Sequence, residues 1–175
     1  YNVLGDTMAN GTGLSPSSWS SNYQSSGLNI IKAVVTIPIP GSSSKYFIVH
    51  ESIDSSITSP SFPYFHFYCT KLYYSVIDMS LNGGLGEVIQ KNENILPEFD
   101  TIAYGGLTCC RHSNGRDWWL ISHGYQNDFY YTWLITPSGI GGPYKQSIGM
   151  IIPYGLGQCK FSSDGKKYAS VIDGS

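Results

Sequence analysis

Charge is scarce in this 175-residue chain: 13% of its residues are charged, and ten Lys and Arg against twelve Asp and Glu give a formal net charge of −2. No basic block or stripe is present, which argues against a nucleic-acid partner. Long apolar runs are missing as well. Nothing approaches the roughly 18 residues of a membrane-spanning helix, so a soluble chain without membrane insertion is expected. The sequence opens at Tyr1 with neither Met nor signal peptide, so any export signal is expected to have been removed or to lie outside it. Cysteine is limited to positions 69, 109, 110 and 159, without the paired spacing of a zinc site. Buried free thiols are expected; a disulfide between neighbouring repeats needs a close approach that spacing alone does not show. No stretch of ten or more residues carries a helical period.

Aromatic residues and turn formers are plentiful. Aromatics reach 14%, with 14 tyrosines and 20 glycines. Side chains of this kind pack well on a pleated surface, so the mixture suits short strands joined by polar turns. The clearest signal is Thr108-Cys109-Cys110-Arg111-His112-Ser113-Asn114-Gly115-Arg116-Asp117-Trp118-Trp119, two apolar strands around a tight turn. Similar pairs occupy 36–49 and 158–171. Aligned on them, Ile37, Cys109 and Cys159 each lie nine residues before Tyr46, Trp118 and Tyr168. In Ser113-Asn114-Gly115-Arg116 and Ser163-Asp164-Gly165-Lys166, Gly supplies the positive φ of a tight hairpin.

Third strands follow at Leu72–Met79 and Phe129–Thr136, aligned so that Tyr74 matches Tyr131. Each leads into a Gly-bearing turn, Asn82-Gly83-Gly84 and Ser138-Gly139-Ile140-Gly141-Gly142, and then an outer strand at Gly86–Gln90 or Lys145–Met150. Four antiparallel strands per unit, repeated, is a propeller-blade layout. The expected fold is therefore all-β, a partial β-propeller. Its parts are a loop-rich stretch at 1–29, a blade at 30–103 opening with a strand at Ile30–Ile39 and carrying an insertion at 53–70, a blade at 104–151, and half of another at 152–175. Tyr46 and Trp118 are 72 residues apart, Trp118 and Tyr168 only 50. Of the surplus 22, 15 fall between second and third strands and 7 before the next unit. In a propeller those connections emerge on one face, where insertions often mark the binding side.

Four stretches resemble the β-propeller modules of large exported Bacteroidetes proteins, which are delivered by type IX secretion and often described as gliding-associated. They are Met8-Ala9-Asn10-Gly11-Thr12-Gly13-Leu14, Tyr74-Ser75-Val76-Ile77-Asp78-Met79-Ser80-Leu81-Asn82-Gly83-Gly84-Leu85-Gly86-Glu87-Val88, Arg111-His112-Ser113-Asn114-Gly115-Arg116-Asp117-Trp118-Trp119 and Lys160-Phe161-Ser162-Ser163-Asp164-Gly165-Lys166-Lys167. The resemblance implies a cell-surface or secreted, non-enzymatic scaffold of seven blades. Only about three are accounted for here, below the usual minimum of about four. Remaining blades from the same or another chain are thus implied partners.

Candidate site residues are Tyr64, Phe65, His66, Phe67 and Tyr68. Five consecutive aromatic or imidazole side chains in the insertion can form a platform for a protein or glycan ligand, or else cover the blade edge. Trp118 and Trp119 face opposite sides of a strand and are expected to pack in the core. His50 and His123 are one position out of register, which speaks against a shared metal site. No Gly-flanked nucleophile serine, paired carboxylates or phosphate loop stands out, so neither a cofactor nor a reaction is expected. The expectation is a non-catalytic recognition, adhesion or display domain. An enzyme's propeller domain and a structural spacer in a large adhesin are the alternatives.

Overall fold

A computed structural model of the chain describes residues 1–22, 32–57, 65–153 and 155–172. The described residues form an all-β fold. The first sheet is built from β1 (Val34–Pro38), β2 (Lys45–Glu51), β5 (Leu72–Asp78) and β6 (Glu87–Asn94), in the order β1-β2-β5-β6. The second holds β7 (Thr108–Arg111), β8 (Trp118–His123), β9 (Phe129–Thr136) and β10 (Gly139–Ser147), in chain order across the sheet. A hairpin of β11 (Leu156–Phe161) and β12 (Tyr168–Ile172) makes the third. Between β2 and β5 a further hairpin pairs β3 (Asp54–Ile57) with β4 (Phe65–Tyr68). All strand pairs are antiparallel. A one-turn helix, α1 (Ser18–Asn22), precedes the first sheet, and no described helix is long and apolar enough to cross a membrane.

Period-two alternation sets how the sheets stack. On one face of the first sheet, Ile37, Phe47, Val49, Leu72 and Val76 form a single core with Leu120, Tyr131, Trp133 and Ile135 of the second. The Trp133 indole N–H donates to the Ile95 carbonyl at 3.2 Å, which fixes the direction of that face. Each fully buried aliphatic here contributes about 1.5–3 kcal/mol relative to exposure. On the opposite face of the first sheet, Ile48, Ile77 and Val88 meet residues 7–14. That segment is held by Val88 N–H donating to the Ala9 carbonyl (3.0 Å) and by Asn10 Nδ2 donating to the Val88 carbonyl (2.7 Å). The far face of the second sheet meets the third through Tyr130 and Tyr168, whose ring centroids are 5.6 Å apart. The first strands approach one another, with β7 touching both β1 and β11.

The two marked turns form as their residues dictate. Gly115 and Gly165 sit at φ 72° and 69°. Each donates its N–H to the residue three back, His112 or Ser162, at 2.9 Å. Asp117 locks the first turn by accepting from Asn114 Nδ2 at 2.7 Å and Arg116 Nε at 2.8 Å.

Several expectations need correction. β1 begins at Val34, after Lys32 at φ 56°; Ile30 lies outside the described residues. The outer strands are longer and placed differently. β10 starts at Gly139, directly opposite Thr136, so the turn is Pro137-Ser138 and Gly139–Gly142 belong to the strand. Gly142 serves an irregularity between Gly141 and Tyr144, not a turn. It has φ 117°, and a Cβ there would stand 2.8 Å from the Thr132 carbonyl oxygen. Register also shifts. The partners of Thr36, Cys109 and Cys159 are Ile48, Leu120 and Ser170, each two residues beyond Tyr46, Trp118 and Tyr168. Thr36 rather than Ile37 is therefore the counterpart of the two cysteines, because the first hairpin is one residue longer. Tyr46 faces Ile77 and Trp118 faces Ile135, so Tyr73, not Tyr74, corresponds to Tyr131. All four cysteines are free thiols.

Candidate functional site

The insertion and both inter-sheet connections converge on one end of the stack. Residues 95–107 link the first sheet to the second, and Ile102 bridges Cys69 on one side and Gly124 on the other. Cys69 and Ile102 exchange two backbone bonds of 3.0 Å, and Ala103 N–H donates to the His123 carbonyl at 2.8 Å. Residues 148–153 arrive at the same end, where Gln126 N–H donates to the Ile152 carbonyl at 2.9 Å and Ile152 packs on Ala103. Gly155 lies flat on the Tyr104 ring, where a Cβ would come within 2.2 Å of ring carbons.

Aromatic side chains collect here in two groups. Phe67 meets Trp19 of α1 edge to face at 5.1 Å and Tyr104 at 6.1 Å. Tyr68 stacks on Tyr125 with centroids 5.2 Å apart and planes 27° from parallel. All five rings are half-buried, so each keeps surface toward solvent. Asp54 fixes the root of the insertion, accepting at Oδ2 from Ser52 Oγ (2.9 Å), Thr70 N–H (3.0 Å) and Thr70 Oγ1 (2.6 Å). Of the anticipated platform, Phe67 and Tyr68 contribute in this way. Phe65 and His66 lie in β4, with backbones opposite Ile57 and Ser56. Tyr64 is outside the described residues. The sequence reading missed Trp19, Tyr104 and Tyr125, which lie in α1, in the 95–107 connection and in the β8–β9 turn and reach this end only through the fold.

Beneath the aromatic groups lies Glu51, fully buried at the end of β2. Its Oε2 accepts from Gly105 N–H at 3.0 Å, while Oε1 has no hydrogen-bond partner. Burial pushes its pKa up to about 8, only partly offset by that bond. Glu51 is therefore mostly a neutral acid at pH 7. β2 also carries Lys45 and His50, and nothing in the sequence singled out Glu51 as the buried acid. The nearby Cys69 thiol is also buried, with its pKa raised by desolvation and then by Glu51 and Asp54.

On the other face of β2, His50 is clamped between two serines. Its Nδ1 is 2.7 Å from Ser15 Oγ and its Nε2 is 2.9 Å from Ser75 Oγ. Burial lowers its pKa to about 4. Ser15 sits at φ 53°, and its N–H donates to Asn92 Oδ1 at 3.2 Å. A serine beside a histidine invites comparison with a nucleophile and base. Here Ser15 is buried and its backbone N–H is tied to Asn92, so the pair stands beneath the N-terminal segment. The network anchors the N-terminal segment. His123 faces the opposite side of its sheet, with Nδ1 2.7 Å from the Gly124 carbonyl and its ring 4.4 Å from Tyr130. The two histidines are thus separated, as their register implied. Among the described residues, no three His, Cys, Asp or Glu side chains are grouped to hold a metal ion. Trp118 packs against the core, and Trp119 meets His112 at 5.6 Å and Tyr144 at 6.3 Å on the other face.

Comparison with protein families, with curated proteins and with solved structures finds no match in any of the three.

Proposed function

We propose that the chain is part of a β-propeller and serves as a recognition or adhesion module at the cell exterior. In this reading the three sheets are successive blades. Support comes from their face-to-face order and from first strands that gather along one line. The face of the first sheet turned away from the second carries Ile48, Ile77 and Val88 beside residues 7–14, the side on which a preceding blade would stand. The missing blades come from the same chain or another.

One observation carries the functional part: α1, the insertion, the connection between the first two sheets and the β8–β9 turn bring Trp19, Phe67, Tyr68, Tyr104 and Tyr125 to a single end. Half-exposed rings supply large contact area at low entropic cost, for a protein surface or a sugar face. A glycan array and a pull-down from surface-exposed proteins test this, each repeated with Phe67→Ala and Tyr68→Ala. Binding that falls at least roughly tenfold in the variants supports the module. Retention of full adhesion by both variants supports a spacer instead, a reading favoured by the fact that these rings already pack on one another.

A further inference from the structure

Residues 7–16 are held on the first sheet by side chains more than by backbone. They start beside β6, where Ala9 and Glu87 form a parallel bridge, and reach His50 and Tyr73 at their far end. Among the described residues, one backbone–backbone bond joins this segment to the sheet, from Val88 N–H to the Ala9 carbonyl. The other ties come from side chains. Asn10 Nδ2 donates to the Val88 carbonyl, Lys91 Nζ to the Thr12 carbonyl at 3.0 Å, Asn92 Nδ2 to the Gly13 carbonyl at 2.8 Å, and the Tyr73 hydroxyl to the Pro16 carbonyl at 3.4 Å. Asn10 and Ser15 sit at φ 56° and 53°, a region that side chains disfavour. Met8 and Leu14 line one pocket with Ile48, Ile77 and Val88, and the last two are buried.

The buried end of this tether is His50, between Ser15 and Ser75. A neutral imidazole has one N–H and one lone pair, so one hydroxyl accepts from the ring and the other donates to it. A second proton makes both nitrogens donors. The hydroxyl that had donated must then turn its own proton elsewhere. Ser75 Oγ already accepts from Asn92 N–H at 3.2 Å, and among the described residues neither serine bonds another acceptor. No carboxylate pairs with the ring there either. Glu51 lies on the opposite face, Asp54 is bonded to Ser52 and Thr70, and Glu93 is exposed on β6. Lys91 is turned to Thr12, and the Tyr73 ring, 5.7 Å away, is a neutral phenol.

Something must yield when that proton arrives. β2 is paired on both sides, with β1 and β5, whereas residues 7–16 have a single backbone bond to give up. We propose that residues 7–16 form an acid-released strap: a proton on His50 breaks the Ser15 contact, lifts the segment and uncovers Ile48, Ile77 and Val88. Burial holds the ring at a pKa of about 4 against an ordinary 6.5. The closed form is therefore favoured above pH 6.5 and loses ground as pH falls toward 4. A ring that returns to its ordinary value on release raises the open population roughly twentyfold between pH 7 and pH 5.

Hydrogen exchange of the full chain, read residue by residue by NMR at pH 7 and pH 5 and corrected for intrinsic rates, tests it. The Ser15 and Val88 amides, which bond across the strap, should open roughly twentyfold more often at pH 5. Trp133 in the central strand β9 should not speed up, because Glu51 stabilises the whole fold increasingly over the same fall in pH. His50→Gln keeps a neutral hydrogen-bonding side chain and should abolish the rise at Ser15 and Val88. The proposal is overturned by equal opening at both pH values, by Trp133 accelerating as much as the strap, or by a rise that survives in His50→Gln. Circular dichroism checks that the variant is folded; where it is not, Ser15 and Val88 against Trp133 in the unaltered chain decide the matter.

Discussion

Glu51 sets a pH dependence that a single substitution removes. In the unfolded chain its carboxyl titrates near 4.5, and in the folded protein near 8. The folded state therefore keeps a proton that the unfolded state releases, so this contribution to stability is complete below pH 4.5 and is lost as pH rises toward 8. His50 works the other way. Its pKa falls from 6.5 to about 4 on folding, so its contribution is complete above pH 6.5 and is lost as pH falls toward 4. The two slopes oppose each other between pH 4.5 and 6.5, and only the Glu51 slope continues above that interval. At about 1.4 kcal/mol per pH unit, the protein loses roughly 2 kcal/mol between pH 6.5 and 8. Glu51→Gln is near-isosteric, and its amide oxygen can still accept from Gly105. Urea unfolding followed by tryptophan fluorescence at half-unit steps of pH measures the difference. The variant should be flat across this window, so its advantage over the parent grows with pH. A flat parent, or a variant with the parent's slope, would refute a neutral buried acid at this position.

Three other substitutions or treatments separate local effects. Gly142→Ala forces a Cβ onto the Thr132 carbonyl in a left-handed backbone and should cost about 1–3 kcal/mol in urea unfolding, whereas Gly139→Ala meets no atom within 4 Å and should cost less. His50→Ala leaves Ser15 and Ser75 without their shared partner. A loss of about 1–3 kcal/mol is expected, with faster proteolytic cleavage within residues 1–16 and a shallower fall in stability between pH 6.5 and 4. In the native protein iodoacetamide should label Cys110, which lines an open cleft, well before the buried Cys69 and Cys159. Peptide mass mapping reads the order, and 8 M urea should abolish it.

Much of the scaffold was legible because strands and tight turns are written locally. Asn114-Gly115 and Asp164-Gly165 name their turns by the one residue type that tolerates positive φ, and Phe129–Thr136 names its buried face by alternation. Gly139–Gly142 misled the reading because the same residue that ends a strand can also relieve crowding inside one; only the Thr132 carbonyl opposite Gly142 distinguishes the two cases. One-residue register errors had a similar origin. Both Ile37 and Thr36 are plausible strand residues, and which one faces the second sheet depends on hairpin length.

The sequence by itself determined that this chain makes antiparallel sheets joined by glycine-bearing hairpins, because backbone preference and period-two patterning act over a few neighbouring residues. Tertiary structure decided what surrounds each side chain. It buried Glu51 against Gly105, clamped His50 between serines 15 and 75, and brought Trp19, Phe67 and Tyr104 together from distant parts of the chain. Desolvation and ring packing depend on what the rest of the chain places nearby, and no local pattern carries that information.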